Sequence, residues 1–429
     1  MNKLLEVREF ECITCNDDYK DDRSFKYLEK ELFNELEEFI LQSKGRETEV
    51  SDFLNIRFKR NVGKIIQAKN YVGLIQMKNG FNLQILPKIS YNSINDTKKI
   101  FIKMLRSLKV FNNKIFNDAN LRVDKMNLYE IFINMYIQEL RNLVKRGIKS
   151  SYLLVENNNN FYKGKLLTSE HIKRNFLHKE RFYIGYDEFL QNCPENKLIK
   201  STLLKLQKIS TSAYNIKEIK QLLINFENVE PSKNYIKDFS KVVINRNTKY
   251  YELLMKWSKV FLMNYSFTTF SGNTKSRALL FPMEKIFESY VAKNLKKALE
   301  DLNWNVSRQD KGCYLFDEPR KFALRPDIVV TRDDGSIIVL DTKWKSLINK
   351  MQQNYGISQG DMYQMYAYSK KYKTAEIWLL YPVNEEMKDA GDIKFKSIEN
   401  DDKVLVRLFF VDVGRIEESM RRLREELNR

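Results

Sequence analysis

The stretch Leu324-Arg325-Pro326-Asp327-Ile328-Val329-Val330 is followed, after a short polar interval, by Ile337-Ile338-Val339-Leu340-Asp341-Thr342-Lys343. Both runs are rich in strand formers, and Asp333-Asp334-Gly335 between them signals a tight hairpin. With Asp334 and Gly335 as the central turn residues, Asp333 pairs with Ser336 and Asp327 falls opposite Thr342. That is one residue out of step with Asp341, a gap that a bulge or a slightly different turn closes. Directly opposed residues have Cβ atoms about 4.5–5.5 Å apart, near enough for two carboxylates to share one cation. Alternation puts Asp341 and Lys343 on one side of the strand and Thr342 on the other. Ile337–Leu340 is apolar at every position, the pattern of a strand covered on both faces.

Charges at the end of such a strand are either solvated caps or a site. Acid-x-Lys triplets are common in this chain: Asp18-Tyr19-Lys20, Glu218-Ile219-Lys220, Asp392-Ile393-Lys394 and Asp401-Asp402-Lys403 also fit, whereas Pro-Asp occurs once. The hairpin and its Pro-Asp therefore single out Asp327, Asp341 and Lys343 as candidate catalytic residues. Hard oxygen ligands suit Mg²⁺, with Mn²⁺ as the substitute. Asp327 and Asp341 are the expected ligands, with the backbone carbonyl of Thr342 as a third. A cation there would polarise a phosphodiester and acidify a bound water. Lys343 would orient that water and offset charge building on the phosphoryl oxygens. The reading is a phosphodiester hydrolase acting on nucleic acid.

Around the hairpin, Met283–Glu300 has the apolar spacing of an amphipathic helix. Glu288 flanks its stripe and reads equally as a further metal ligand or a solvated helix charge. Ser358-Gln359-Gly360-Asp361 resembles a capping box opening another helix. On that helix Gln364 and Tyr368 share a face at i,i+4. They are either nucleic-acid contacts beside the metal, with Lys345 as a third supporting residue, or a surface glutamine and a half-buried tyrosine. Strands over Ala375–Tyr381 and Val404–Val413 and a helix over Glu417–Leu427 complete an α/β unit assigned to residues 273–429.

Upstream the organisation is α+β. Residues 1–125 form a mixed region, with a helix near Phe25–Gln42 and strands over Lys64–Ala68, Tyr71–Met77 and Asn82–Leu86. Asn79-Gly80 is the hairpin turn between the last two. Residues 126–272 are mainly helical. Leu128–Arg146 is a helix stopped by Gly147, Asn157–Asn160 a solvated loop, 187–265 mostly helical and Ser271–Ser276 a polar linker. The acidic Glu29–Glu38 stretch reads as a solvated helix face.

The 429 residues suffice for about two or three domains. Lys and Arg number 74 against 56 Asp and Glu, a formal net charge of +18 that favours a polyanion such as DNA. Richness in lysine, asparagine and isoleucine also fits low-GC coding, so basicity is supporting evidence. No 18-residue apolar run or signal peptide is present, which predicts a soluble cytoplasmic protein with no membrane partner. Four cysteines make no disulfide framework, and Cys12-Ile13-Thr14-Cys15 lacks the second pair a zinc site needs. His171 and His178 are the only histidines, disfavouring nucleases built on histidine bases. No Gly-x-x-x-x-Gly-Lys-[Ser/Thr] loop occurs, so this chain is not expected to bind nucleotide itself.

Several motifs, in order, resemble the McrC family, the nuclease subunits of McrBC-type restriction systems specific for 5-methylcytosine. They run from Val72-Gly73 and Leu86-Pro87-Lys88 through Tyr162-Lys163-Gly164-Lys165-Leu166, Tyr186-Asp187-Glu188-Phe189 and Pro194-Glu195-Asn196-Lys197-Leu198-Ile199-Lys200. They continue with Ile286-Phe287-Glu288-Ser289-Tyr290-Val291, Arg325-Pro326-Asp327, Leu340-Asp341-Thr342-Lys343-Trp344-Lys345 and Asp361-Met362-Tyr363-Gln364-Met365-Tyr366. The resemblance implies a PD-(D/E)xK restriction-endonuclease-like domain, a central mixed sheet flanked by helices, with Asp327, Asp341 and Lys343 in the catalytic roles. It implies a hexameric McrB-like AAA+ GTPase partner that this chain docks into through its N-terminal half and stimulates. It also implies double-stranded DNA as substrate, with two complexes meeting to cut both strands. Two other readings stand beside it: a non-cleaving adaptor that activates an AAA+ motor, and a stand-alone RecB-like repair nuclease.

Overall fold

The computed structural model describes residues 4–41, 53–77, 79–89, 94–108, 128–263, 277–399 and 402–429. Two four-stranded sheets form the N-terminal part. In one, Leu4–Arg8 pairs in parallel with Asn82–Leu86, which forms the expected hairpin with Tyr71–Gln76. In the other, Phe25–Tyr27, Cys12–Thr14, Gly63–Ala68 and Leu54–Lys59 lie side by side. The helix expected from Phe25 begins only at Lys30 and ends at Leu41. Its buried stripe, Phe33, Leu36, Phe39 and Ile40, starts at Phe33, whereas Phe25–Tyr27 lies in parallel register with Cys12–Thr14.

Residues 277–282, placed by sequence at the head of the C-terminal unit, form a strand antiparallel to Tyr71–Gln76. This crossing joins the two ends of the molecule. Gly73 makes it feasible: its φ is +147°, and a Cβ there would lie 1.9 Å from the Leu279 carbonyl oxygen. The polar linker expected at Ser271–Ser276 lies outside the described residues.

Leu128–Arg146 forms the expected helix, apolar on almost every face and correspondingly buried. Of its two buried acids, Glu130 and Glu139, Glu130 accepts from the Ser210 hydroxyl, the Thr211 amide and hydroxyl, and the Asn215 side chain. A buried carboxylate so satisfied fixes the turn between helices Pro194–Ile209 and Ala213–Ile224. The Pro194-Glu195-Asn196 motif is likewise a brace. Proline opens the helix, Glu195 pairs with Lys149 at 2.7 Å, and Asn196 bridges the Lys149 carbonyl and the Tyr251 hydroxyl.

Ser151–Asn159 and Phe182–Leu190 form a long antiparallel pair, so Asn157–Asn159 belongs to a strand rather than to the expected loop. Reciprocal amide bonds between Asn158 and Asn175, both 2.8 Å, hold that end against the helix Thr168–Asn175.

The C-terminal unit is a mixed six-stranded sheet in the order Asn305–Arg308, Ile328–Thr331, Ile337–Thr342, Glu376–Pro382, Asp402–Val411, Lys394–Glu399. The three central strands are mutually parallel and the outer ones antiparallel to their neighbours. The two edge strands, 305–308 and 394–399, have no counterpart in the sequence reading. Ile328, Val330, Ile338 and Leu340 face helices Met283–Ala298 and Ile416–Leu427, while Val329, Val339, Ile377 and Leu379 face Gln359–Tyr372. Strands covered on both faces account for the continuous apolar runs. The first of these cores extends without a break through the Leu128–Arg146 helix to Val72 and Leu74.

Replacing Gly73 by alanine should cost about 3–5 kcal/mol, because the methyl meets backbone rather than a movable side chain. The check is chemical denaturation beside Gly63→Ala, where a Cβ meets nothing within 4 Å and only the positive φ is taxed.

Candidate active site

The hairpin register decides the geometry. Ile328 pairs with Leu340 and Thr331 with Ile337, so continuing the ladder by one step sets Asp327 against Asp341. The one-residue discrepancy disappears because the turn is longer than the two-residue form. Arg332 and Ser336 close it (Arg332 N to Ser336 O, 2.9 Å), leaving three residues between them with Gly335 at φ +80°. This is the three-residue hairpin in which glycine takes the left-handed position.

Asp341 is 2% exposed at the end of its strand, with Oδ2 2.7 Å from Lys343 Nζ. Asp327 Oδ2 accepts from the Thr342 amide (2.8 Å) and hydroxyl (2.6 Å), and Oδ1 accepts from Gln309 Nε2 at 3.3 Å. Thr342 does not turn away from the site as alternation suggested. Its hydroxyl reaches across the hairpin and holds Asp327 in place.

Lys343 follows the strand, its amide donating to the Leu380 carbonyl at 2.9 Å. Beyond Asp341, its Nζ donates to Gln364 Oε1 at 2.9 Å and lies 3.7 Å from Asp361 Oδ1. Gln364 in turn donates to the Tyr368 hydroxyl at 2.7 Å. Tyr368 is 1% exposed, so it has no ring face to offer a base and serves instead to orient Gln364. Lys345 is tied to Asp361 Oδ2 at 2.6 Å. Asp361 thus stands between two lysines, at the start of a helix capped by Ser358. Glu288 is half-buried, with a loose 3.9 Å ion pair to Arg308 on the Asp327 side. The sequence carried a signal for Asp361, a capping-box acid, but none for Gln309 or Arg308.

Burial followed by the like charge of Asp327 pushes the Asp341 carboxyl up to about 7, although Lys343 opposes the rise. Asp327 is raised mainly by burial, with its Thr342 hydrogen bonds pulling the other way. Glu288 is raised by burial and then by Asp327. Burial alone would depress Lys343, yet the Asp341, Asp361 and Asp327 carboxylates outweigh it and hold the ammonium charged. Two acids sharing one small volume against a single ammonium are a donor set short of positive charge.

That deficit fits a hard divalent cation. Among the described residues, however, no group of three His, Cys, Asp or Glu side chains gathers at one point. Glu288 does not complete a triad with Asp327 and Asp341, so a cation here would rest on two carboxylates, backbone oxygen and water. Mg²⁺ accepts such a set because it keeps several waters and takes few protein ligands.

Residues 66–382 match the family described as McrBC 5-methylcytosine restriction system component. No curated protein matches. Among solved structures, a refined half-complex from the tetradecameric assembly of Thermococcus gammatolerans McrB AAA+ hexamers with bound McrC is similar, with a TM-score of 0.70 and 19% identity. That likeness covers 99% of this chain and 100% of the other. A cryo-EM structure of the Thermococcus gammatolerans McrBC complex gives a TM-score of 0.48 at 21% identity, over 69% of this chain and 88% of that one. Covering most of the length and spanning the carboxylate hairpin, the family match means that this chain belongs to the McrBC 5-methylcytosine restriction system component family.

Proposed function

We propose that this chain is the Mg²⁺-dependent DNA endonuclease subunit of a GTP-dependent, modification-dependent restriction system, with a PD-(D/E)xK site at its C-terminal hairpin. The observation that carries this reading is the in-register pair Asp327 and Asp341 with Lys343 Nζ 2.7 Å from the buried carboxylate. Folding alone gives no reason to bury two acids and a lysine at one strand end, since an ion pair there is at best neutral for stability.

When bound, the cation would supply Lewis acidity to the scissile phosphate and an acidified water. Asp327 and Asp341 would hold it, with Asp327 kept rigid by Thr342 and Gln309. Lys343, held charged by three acids and steered by Gln364, would face the phosphoryl oxygens as negative charge develops. Lys345 and the excess of 18 positive charges favour a phosphate backbone over a neutral substrate.

The partner in this reading is an McrB-like AAA+ GTPase hexamer, whose GTP hydrolysis the chain would stimulate. Support comes from family membership and from the arm spanning residues 151–190. That arm exposes the large apolar side chains Tyr152, Leu154, Phe161, Phe176 and Leu177, which a partner surface could cover. Cutting both strands requires two sites, so two complexes would come together on DNA.

The Asp341→Ala chain, assayed with its partner, GTP and Mg²⁺, should lose cleavage while GTPase stimulation persists. Lys343→Ala should cut about 10²–10³-fold more slowly. Unaltered cleavage by either would remove the assigned site, and a wild type that drives GTP turnover without nicking would establish the adaptor.

The raised Asp341 pKa predicts a pH signature. The folded chain keeps a proton that the unfolded chain releases between the ordinary carboxylate range and about pH 7, so stability falls as pH rises through that window. In EDTA at pH 8, Asp341→Asn should therefore be more stable than wild type, on the order of 1–3 kcal/mol. The difference should fade toward pH 4. Mg²⁺ at pH 8 should raise the melting temperature of wild type and leave Asp341→Asn unmoved, read by differential scanning fluorimetry.

A further inference from the structure

The residue after Lys343 is gripped from the opposite end of the chain. Trp344 is 2% exposed, and its indole Nε1 donates to Glu9, 3.1 Å from Oε1 and 3.0 Å from Oε2. Glu9, 3% exposed, also accepts from the Lys88 amide at 2.9 Å. Lys88 Nζ then donates to the Trp344 carbonyl at 2.7 Å and lies 5.5 Å from the indole ring centroid. Three residues therefore form a closed ring of contacts on both the side chain and the backbone of Trp344.

The components belong to rigid elements. The Glu9 amide donates to the Leu86 carbonyl, and Lys88 follows Leu86 and Pro87 at the end of the neighbouring strand. Trp344 also packs on Phe287 of the Met283–Ala298 helix, with ring centroids 5.3 Å apart. Beyond Trp344 the chain is held again, the Asn384 side-chain amide donating to the Leu347 carbonyl at 2.7 Å. Ser346 borders a cavity of about 680 Å³ shared with Lys88, Ile100, Asn384 and Arg415. Burial pushes the Glu9 carboxyl up to about 7 despite Lys88 and the indole, so keeping it there is costly. A leucine in that place would pack without this penalty, but it could not accept from Trp344 and Lys88 together.

We propose that Glu9 and Lys88 are positioning residues for the site: by fixing the Lys343–Trp344 peptide, the N-terminal sheet sets the direction in which Lys343 Nζ addresses the two carboxylates. The proposal rests on the nuclease reading for its catalytic consequence, but the positioning itself can be read without cleavage. Because the grip comes from Glu9 and Lys88, whatever displaces the N-terminal sheet acts directly on this peptide. Cutting would then be sensitive to strain applied at the end of the molecule remote from the hairpin.

The test uses the full chain with Glu9→Gln and Trp344→Phe. Glutamine keeps one carbonyl acceptor but sets an NH2 donor where Oε1 faces the indole N–H and removes the charge facing Lys88, and phenylalanine keeps the ring against Phe287 while removing the indole N–H. Hydrogen exchange followed by mass spectrometry should show residues 343–346 exchanging about tenfold faster in both variants, with strand 337–340 unchanged. With partner, GTP and Mg²⁺, kcat should fall about 10–100-fold while KM for DNA and the Mg²⁺-induced thermal shift stay at wild-type values. Wild-type exchange at 343–346 in both variants overturns the proposal. So does loss of protection spread over the whole sheet, which would make the cluster a general brace. If Glu9→Gln fails to fold, Lys88→Met, which removes the ammonium's bond to the Trp344 carbonyl and its charge beside Glu9 but keeps the backbone amide donor, decides between the same outcomes. A wild-type chain that never cleaves, with local exchange still raised in the variants, would sink the nuclease reading and leave the positioning standing.

Discussion

Two carboxylates held in register at the end of a doubly buried strand pair are the constraint on which the C-terminal unit depends. Asp327 and Asp341 repel each other, and Asp341 lies almost wholly out of water. The surroundings respond at each point. Thr342 donates twice to Asp327, Gln309 donates to its other oxygen, and Lys343 stands against Asp341. The lysine is in turn steered by Gln364, which is anchored on the buried Tyr368. What remains is a deficit of positive charge, two buried carboxylates facing one ammonium. A fold that kept such an arrangement for stability alone would be better served by apolar side chains.

The rest of the architecture can be seen as the means of holding that strand end still. Helices cover both faces of the sheet, so the strands cannot shear without opening one of two apolar cores. One core continues into the middle helices and reaches the N-terminal sheet, and residues 277–282 add a strand to that sheet just before the Met283–Ala298 helix begins. The first and last thirds of the chain are thereby mechanically joined. The Glu9–Lys88–Trp344 cluster lies on this junction, one residue from Lys343.

Several motif residues prove to be braces rather than reactive groups. Glu195 and Asn196 organise the Lys149–Tyr251 contact, Gly73 allows two backbones to meet, and Tyr368 orients a glutamine. A polar or aromatic residue in a recognisable motif can thus serve the backbone as readily as the substrate. Local sequence does not distinguish the two, because the difference lies in what approaches from far along the chain.

Reading the residues alone was enough to find the hairpin, its two acids and its lysine, since strand alternation, turn chemistry and Pro-Asp are all short-range signals. The Leu128–Arg146 and Gln359–Tyr372 helices were legible for the same reason, through periodicity and capping. The hairpin's final register needed the three-residue turn, which Gly335 permits but does not dictate. Phe25–Tyr27 and Asn157–Asn159 became strands because a partner strand was in reach, against their local pattern. The burial of Tyr368, the entry of Asp361 and Gln309 into the site and the grip of Glu9 on Trp344, 335 residues away, were decided by tertiary structure. Such contacts leave no periodic trace: a side chain's partner across the molecule is chosen by the packing of whole sheets and helices, not by its neighbours in sequence.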